Sequence, residues 1–328
     1  MPIKPITLRD VWIAKRRIAS VVQKSPLIYS PALSEFTGTS VHLKLEHLNV
    51  SGSFKIRGAA NKILNLTEEE KKRGITTFST GNFGISVAYI SKKLGIDATI
   101  CISKQVPKAK VEALERSGAK IEIYGESQDD AEKRSYQLEG EGLTVIHPFD
   151  DPYIIAGQGT IGLEIMDDLP EVDMVIGGMS GGGLHSGLGV ALKSIDPEIK
   201  VIGVSAAHGA AMYESIQAGK PVITAERDTL ADSLLGGIGQ NNQYTFQMVQ
   251  QYVDDIILVD EEAIGAGMVF TLDKHRMIIE GAAASGIGAI LTNKAQPASN
   301  VVIVVSGASV DPSVVLNLAK KRSKEVSE

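Results

Sequence analysis

The chain has 328 residues, of which 43% are hydrophobic and 22% charged, and its formal net charge is −6. This length suffices for a large core shared between two lobes, and the acidic balance makes nucleic acid an unexpected partner. Neither a signal peptide nor an apolar run long enough to span a membrane is evident. The single cysteine, Cys101, cannot form an internal disulfide. We therefore expect a cytoplasmic protein.

The predicted elements begin with a helix that Thr7 caps and that runs to about Val22. After a strand at 41–45, short apolar strands alternate with longer helical stretches. We predict these strands near 76–78, 98–102, 120–124, 144–147, 174–176, 200–204, 256–259 and 301–305. Their spacing, mostly roughly 20 to 30 residues, is typical of βαβ units and parallel sheets.

Lys55 lies in a segment, residues 51–60, that is unusual for a surface helix. Small residues precede it, Phe54 is adjacent to it, and a glycine and two alanines follow. Partial desolvation lowers the pKa of an amine and makes it a usable nucleophile. Schiff-base chemistry, with a substrate carbonyl or with pyridoxal phosphate (PLP), uses such an amine. The alternative is a solvated lysine in a helix that Ser51 or Ser53 caps.

Two glycine-rich segments each read as a strand, a tight turn and a helix. Residues 79–84 follow the strand-prone run 75–78, and residues 177–184 follow 174–176. Glycine permits close backbone approach to a ligand, and successive amides at a helix N-terminus bind anions. An ordinary βα turn is the alternative, although three successive glycines after a serine exceed what such a turn needs.

Nucleotide-binding motifs fit the second segment poorly. The pattern Gly-x-Gly-x-x-Gly fails because the run from Gly181 ends in Ser186, and no acid follows the next strand. A P-loop is excluded because no Gly-Lys-Ser/Thr follows the glycines. Phosphate binding outside a dinucleotide fold is the favoured interpretation.

The chain resembles the fold-type II PLP-dependent enzymes, in the threonine/serine dehydratase and serine racemase branch. The resemblance runs from Thr7 to about Leu318 and looks closest to the hydroxyectoine-utilisation dehydratases. The motifs that carry it keep the family's order and lie at 43–46 with 51–55, 79–82, 147–152 with 156–160, 180–184 and 304–308.

This resemblance implies an α/β fold of two open, mainly parallel twisted sheets flanked by helices, like the β subunit of tryptophan synthase. It implies a large PLP-binding domain at 1–70 and 149–328, with a small domain at 71–148 inserted in it. It also implies a homodimer or a dimer of dimers. We expect no regulatory domain after Leu318, and the length favours a catabolic enzyme.

The resemblance also assigns roles to residues. Lys55 would hold PLP covalently and act as the base, Phe54 would pack on the ring, and Ser306 would meet the pyridine nitrogen. The phosphate would be bound by backbone amides of Ser180, Gly181, Gly182, Gly183 and Leu184. Asn82 would hydrogen-bond the phenolic oxygen of PLP. The substrate carboxylate would lie among Ser79, Thr80, Gly81 and Asn82.

The implied reaction is a β-elimination that converts a 3-hydroxy amino acid to a 2-oxo acid and ammonia. An amino-acid racemase on the same scaffold is the nearest alternative, followed by a non-catalytic PLP-binding protein and a dehydrogenase. Racemases carry a serine at the position of Thr80. The threonine in this chain favours elimination over racemisation. The region that binds a divalent ion in racemases matches 205–211, which has no carboxylate, so no metal is expected.

Phe83 departs from the family pattern, because dehydratases usually have histidine after Gly-Asn. A phenyl group cannot donate the hydrogen bond that an imidazole could. We therefore expect a substrate other than plain threonine or serine to be preferred. The four candidate substrates, of which the first two are expected to react weakly, are threonine, serine, 3-hydroxyaspartate and a hydroxylated diamino acid from hydroxyectoine breakdown.

Overall fold

The computed structural model describes residues 5–325 apart from 80, 107 and 226. The described α-helices are α1 (Leu8–Ile18), α2 (Pro31–Thr37), α3 (Lys55–Leu64), α4 (Glu68–Arg73), α5 (Asn82–Leu94), α6 (Lys108–Ser117), α7 (Gln128–Gly140), α8 (Pro152–Asp168), α9 (Gly183–Lys193), α10 (Ala211–Ala218), α11 (Thr245–Tyr252), α12 (Glu261–His275), α13 (Gly281–Leu291) and α14 (Pro312–Glu325). None of these described helices has both the length and the apolar character needed to cross a bilayer.

The β-strands form two sheets. They are β1 (Leu27–Tyr29), β2 (Ser40–Lys44), β3 (Ile75–Phe78), β4 (Ala98–Ile102), β5 (Lys120–Ile123), β6 (Thr144–Val145), β7 (Met174–Gly178), β8 (Lys200–Ala206), β9 (Asp255–Val259) and β10 (Asn300–Val304). The larger sheet has the order β1-β2-β10-β7-β8-β9, and the smaller one β5-β4-β3-β6. Among the described strands, the β1–β2 pair alone is antiparallel. The predicted α/β fold with two mainly parallel sheets is confirmed.

The strands at the centre of the larger sheet are buried on both faces. Val301, Val302 and Val304 of β10 have no exposed surface, and β7 beside it is equally apolar. Helices α12 and α13 pack on one face, whereas α8 and α9 cover the other. Parallel strands enclosed in this way read as continuous apolar runs, as the sequence does.

The smaller sheet contains only strands from the contiguous stretch 75–145, which agrees with an inserted domain. The domain boundaries at 71 and 148 stay predictions. The strand predicted at 144–147 is shorter than expected, because β6 ends at Val145. The Nδ1 atom of His147 then accepts hydrogen bonds from the Asp150 and Phe149 amides in a turn.

Helix α3 lies between the two sheets. Its apolar face, which includes Ile56, Ala59 and Ile63, joins an apolar cluster with residues of α5 and of the smaller sheet. It also packs against α8, and glycine makes that contact close. A Cβ on Gly157 would lie 2.6 Å from the Arg57 carbonyl oxygen. The start of α3 is therefore held by both halves of the molecule.

A buried cluster of four charges, the Arg57 cluster, fixes α3 against the larger sheet. Arg57 binds Glu46 through Nε at 2.8 Å and Glu164 through Nη1 at 2.6 Å. Lys44 on β2 binds Glu164 at 2.7 Å. All four side chains are at most 6% exposed. Burial opposes charge on Arg57, but the two carboxylates outweigh it and raise the pKa of the guanidinium.

Candidate active site

Lys55 is the first residue of α3, at the edge of a pocket between the two sheets. Its Nζ donates a hydrogen bond to the Pro148 carbonyl oxygen at 3.3 Å. The ring centroids of Phe54 and Phe83 lie 5.2 and 5.8 Å from Nζ. Burial lowers the pKa of Lys55 to about 8, against the opposing effect of the Glu280 carboxylate. The amine therefore has the desolvated character that a nucleophile or base requires.

The segment that supplies the Pro148 carbonyl is also hydrogen-bonded to the starts of two helices, α11 and α8. The Asp150 carboxylate accepts hydrogen bonds from three backbone amides, 243–245, at the start of α11. Asp151 caps α8 through the amides of Tyr153 and Ile154. The turn is therefore fixed at several points, which holds the carbonyl in place beside Lys55.

The asparagine loop follows β3 and begins α5. The Ser79 hydroxyl oxygen accepts hydrogen bonds from the amides of Gly81 at 3.0 Å and Gly84 at 2.9 Å. Gly81 has a φ of +145°, a conformation in which a Cβ would be strained. Thr80 lies outside the described residues. The Gly81 amide, predicted to face the substrate carboxylate, is thus already bonded to Ser79.

Asn82, the first residue of α5, is held by a buried carboxylate. Its Nδ2 lies 2.8 and 3.0 Å from the two carboxylate oxygens of Glu280, and the Ser233 hydroxyl donates to the same carboxylate at 3.2 Å. Glu280 is 2% exposed, and burial raises its pKa. The Oδ1 atom of Asn82 is buried without a hydrogen-bond partner in the described part of the chain.

The predicted phosphate loop connects β7 to α9, with Gly182 at φ +84° before the helix begins at Gly183. Packing from outside the loop explains these glycines. A Cβ on Gly181 would lie 2.5 Å from Phe149 Cγ, and one on Gly182 would lie 2.8 Å from Met212 Cε. Neighbouring side chains, rather than ligand approach alone, therefore require glycine here.

Ser306 follows β10 and connects to the lysine segment. Its carbonyl oxygen accepts from the Phe54 amide at 3.0 Å, and Ser53 pairs with Gly307 in an isolated bridge. A Cβ on Gly307 would lie 2.5 Å from a Glu280 carboxylate oxygen. Ser306 is 4% exposed and lines the pocket.

One pocket collects most of the residues singled out from the sequence. They are Phe54, Lys55, Ser79, Asn82, Ser180, Gly181, Gly182, Gly183, Leu184 and Ser306. Gly81 is not among the lining residues. Three acids, Asp129, Glu132 and Glu280, also line the pocket, whereas Lys55 is the one lysine or arginine among the described residues that do so.

Three further residues in or beside this pocket were not predicted from the sequence. Glu280 left a signal, because it is the single charged residue between Arg276 and Lys294 in an otherwise apolar, small-residue stretch. Lys110 on α6 and Asp232 after β8 left none. They form an ion pair of 2.6 Å between the inserted segment and the larger half, and the Lys110 chain packs against Gly81.

The family described as pyridoxal-phosphate dependent enzyme matches residues 18–307. The chain belongs to this family. It is therefore a PLP-dependent protein, and the predicted cofactor is confirmed. The residues present fit that cofactor, since the pocket holds an amine of lowered pKa and a helix N-terminus with consecutive glycine amides.

Individual relatives agree with the branch that the motifs indicated. The chain is 46% identical over 308 residues to a putative threonine dehydratase of Sinorhizobium fredii, with 93% of each chain covered. It is 41% identical to the L-threonine ammonia-lyase of Thermotoga maritima, covering 96% of this chain and 79% of that one. The structure of maize serine racemase superposes with a TM-score of 0.90 at 32% identity, covering 99% and 100%.

Proposed function

We propose that this protein is an ammonia-lyase that dehydrates and deaminates a 3-hydroxy amino acid, giving a 2-oxo acid and ammonia. The observation that carries the proposal is the convergence of Lys55 and Ser306 in one pocket of a chain this similar to an ammonia-lyase. PLP, when bound, supplies the electron sink that stabilises negative charge at Cα. A hydroxyl such as that of Ser306 adds no negative charge opposite the pyridine nitrogen, unlike a carboxylate.

Lys55 has the properties of the base. Its pKa of about 8 leaves part of the amine unprotonated near neutral pH, so that it can remove the Cα proton of the substrate. The leaving hydroxyl must be protonated to depart as water. Lys55 carries a proton after that first step and can deliver it, and the cofactor phosphate is the other candidate. Phe54 and Phe83 exclude water from the Nζ atom on one side.

Binding of the cofactor phosphate is assigned to the start of α9. Helix α9 has 11 residues, and its N-terminal amides follow directly on Ser180, Gly181 and Gly182. The helix dipole and the unpaired amides both favour an anion here. Asn82 and Ser306 would contact the opposite, ring side of the cofactor.

The lining of the pocket favours a substrate with a positively charged distal group. Glu132 is half-buried, with its pKa raised by burial and by Asp129. A second carboxylate, as in 3-hydroxyaspartate, would meet these acids and be repelled, whereas an ammonium group would be attracted. A hydroxylated diamino acid, such as one from hydroxyectoine breakdown, therefore ranks above 3-hydroxyaspartate, and Phe83 disfavours threonine and serine.

A panel of the four candidate substrates tests both the reaction and the ranking. The purified protein is expected to release ammonia and a 2-oxo acid in equal amounts, fastest from the hydroxylated diamino acid. Absence of ammonia from every 3-hydroxy amino acid tested would reject the lyase. Threonine as the best substrate by kcat/KM would reject the ranking alone.

An amino-acid racemase is the second candidate function, because the chain superposes closely on maize serine racemase. Chiral chromatography of residual substrate in deuterium oxide separates the two activities. Elimination predicts ammonia with little inverted substrate. Racemisation predicts the opposite enantiomer, labelled at Cα, without an equal amount of ammonia.

We also propose a cytoplasmic homodimer or dimer of dimers. Several large apolar side chains are half exposed and would be covered in such an assembly, among them Trp12, Tyr29, Phe36, Leu48 and Val50. Light scattering coupled to size-exclusion chromatography tests this directly. A mass of one chain, 34.9 kDa, would reject it.

A further inference from the structure

The orientation of the Asn82 amide conflicts with the role proposed for that residue. Its Nδ2 is directed at both oxygens of Glu280, at 2.8 and 3.0 Å, and a third contact, of 3.4 Å, reaches the Ser233 hydroxyl. The atom left without a partner among the described residues is the acceptor, Oδ1. The phenolic oxygen of PLP is itself an acceptor when it is ionised, and two acceptors facing each other repel.

Turning the amide by half a rotation would present Nδ2 to the phenolic oxygen. That rotation places Oδ1 against the Glu280 carboxylate, where two acceptors again meet. The second conflict disappears if Glu280 carries a proton, because its hydroxyl can then donate to Oδ1. Glu280 is 2% exposed, so water cannot readily replace the missing donor.

We propose that Glu280 takes up one proton when PLP binds, and that the protonated carboxyl then orients Asn82 with its N–H toward the cofactor. This inference rests on the proposed role of Asn82. The step is balanced, since the bond to hydrogen that breaks in a hydronium ion or a buffer acid is replaced by one O–H bond on the carboxylate. Glu280 acts through Asn82 and is therefore a positioning residue.

The surroundings of Glu280 are compatible with a proton. Burial is the strongest influence and raises its pKa, and Asp232 raises it further, whereas the Lys110 ammonium and the hydrogen bonds from Asn82 and Ser233 lower it. Lys55 also faces Glu280, since the Glu280 carboxylate acts to raise the pKa of Lys55 against the larger effect of burial. Glu280 also caps the start of α13, where its amide donates to the Gly307 carbonyl oxygen at 3.2 Å.

The test counts protons. Calorimetric titration of the cofactor-free protein with PLP, in two buffers of equal pH near 7 and different ionisation enthalpy, gives the net protons exchanged per site. Glu280→Gln offers a permanent N–H donor and has no carboxylate to protonate. We expect this variant to take up about one proton fewer than the wild type.

Glu132→Gln is the matched control, because Glu132 lines the same pocket and also has a raised pKa. We expect the wild-type proton count from this variant. Equal numbers of protons exchanged by the wild type and by Glu280→Gln would overturn the proposal. An equal decrease in Glu280→Gln and Glu132→Gln would also overturn it.

Infrared difference spectroscopy on the wild type keeps the proposal testable if Glu280→Gln binds no cofactor. Addition of PLP should produce a carbonyl band of a protonated carboxyl group, and no such band would overturn the inference. Neither readout depends on turnover. If the protein released no ammonia but the proton count changed as expected, the reaction would be rejected and the role of Glu280 retained.

Discussion

Lys55 and Arg57 are two basic residues on one helix, yet their surroundings shift their pKa values in opposite directions. Residues two positions apart in an α-helix are separated by about 200° around its axis, so the two side chains lie on different faces of α3. Arg57 is enclosed by the carboxylates of Glu46 and Glu164, which raise its pKa. Lys55 has a carbonyl oxygen at 3.3 Å instead of a paired carboxylate, and its pKa is lowered to about 8.

The difference in pairing assigns Arg57 a structural role and Lys55 a chemical one. A fully paired buried charge fixes the position of the helix and gains little by changing its protonation state. A desolvated amine without a bound carboxylate can lose its proton and attack a carbonyl. The Arg57 cluster thus holds the start of α3 so that Lys55 can stay underpaired at a fixed position.

The largest expected effect is the loss of activity in Lys55→Met. We expect kcat/KM for ammonia release to fall by about 10²- to 10⁴-fold or more, because loss of a general base alone has an effect of that size. Circular dichroism should show the fold retained. Activity within about tenfold of the wild type would mean that another group acts as the base.

Arg57→Met should reduce the stability of the protein much more than Lys55→Met does. It leaves Glu46 and Glu164 with Lys44 as their remaining cation, and we expect the free energy of unfolding to fall by about 3–5 kcal/mol. Lys55→Met is the matched control and should change it by less than about 1.5 kcal/mol, because it removes an underpaired charge and keeps apolar volume. Urea denaturation of the cofactor-free proteins measures both, and equal losses would contradict the comparison.

The pH dependence of stability should distinguish Lys55 further. Its pKa is about 8 in the folded protein, against 10.5 for an ordinary lysine, so the unfolded chain binds more protons between these values. The free energy of unfolding should therefore rise with pH across this window in the cofactor-free wild type, relative to Lys55→Met. Parallel profiles for the two proteins would show that Lys55 titrates normally.

The smallest effect concerns Phe83, which is 2% exposed and belongs to the apolar cluster around α3. Phe83→His adds a donor beside Lys55. We expect kcat/KM on threonine to rise several-fold relative to the preferred substrate, which is less than the roughly 10- to 200-fold range of simple pocket changes. An unaltered ranking of the four candidates would make Phe83 a packing residue only.

The sequence was sufficient for the architecture because parallel, doubly buried strands leave continuous apolar runs. Strand β4 was predicted to the residue, and β10 within one position. Strand β1, of three residues, was missed, since so short a run carries no periodicity. The helix predicted to Val22 ends at Ile18.

At the pocket, the sequence predicted residues that motifs mark but not the groups that hold them. Lys55, Asn82 and Ser306 were found because each stands in a recognisable local pattern. Lys110 and Asp232 are 122 positions apart and meet only through the packing of the two halves. The reason for glycine at Gly181 likewise depends on Phe149, which no local pattern reveals.

The central claim is that Lys55 bears the cofactor, and one chemical experiment tests it directly. The purified protein should be yellow, and borohydride should abolish the visible absorbance while fixing the cofactor to a lysine. Peptide mapping by mass spectrometry should then find the adduct on Lys55 alone. An adduct on any other lysine, or none on Lys55, would contradict this account.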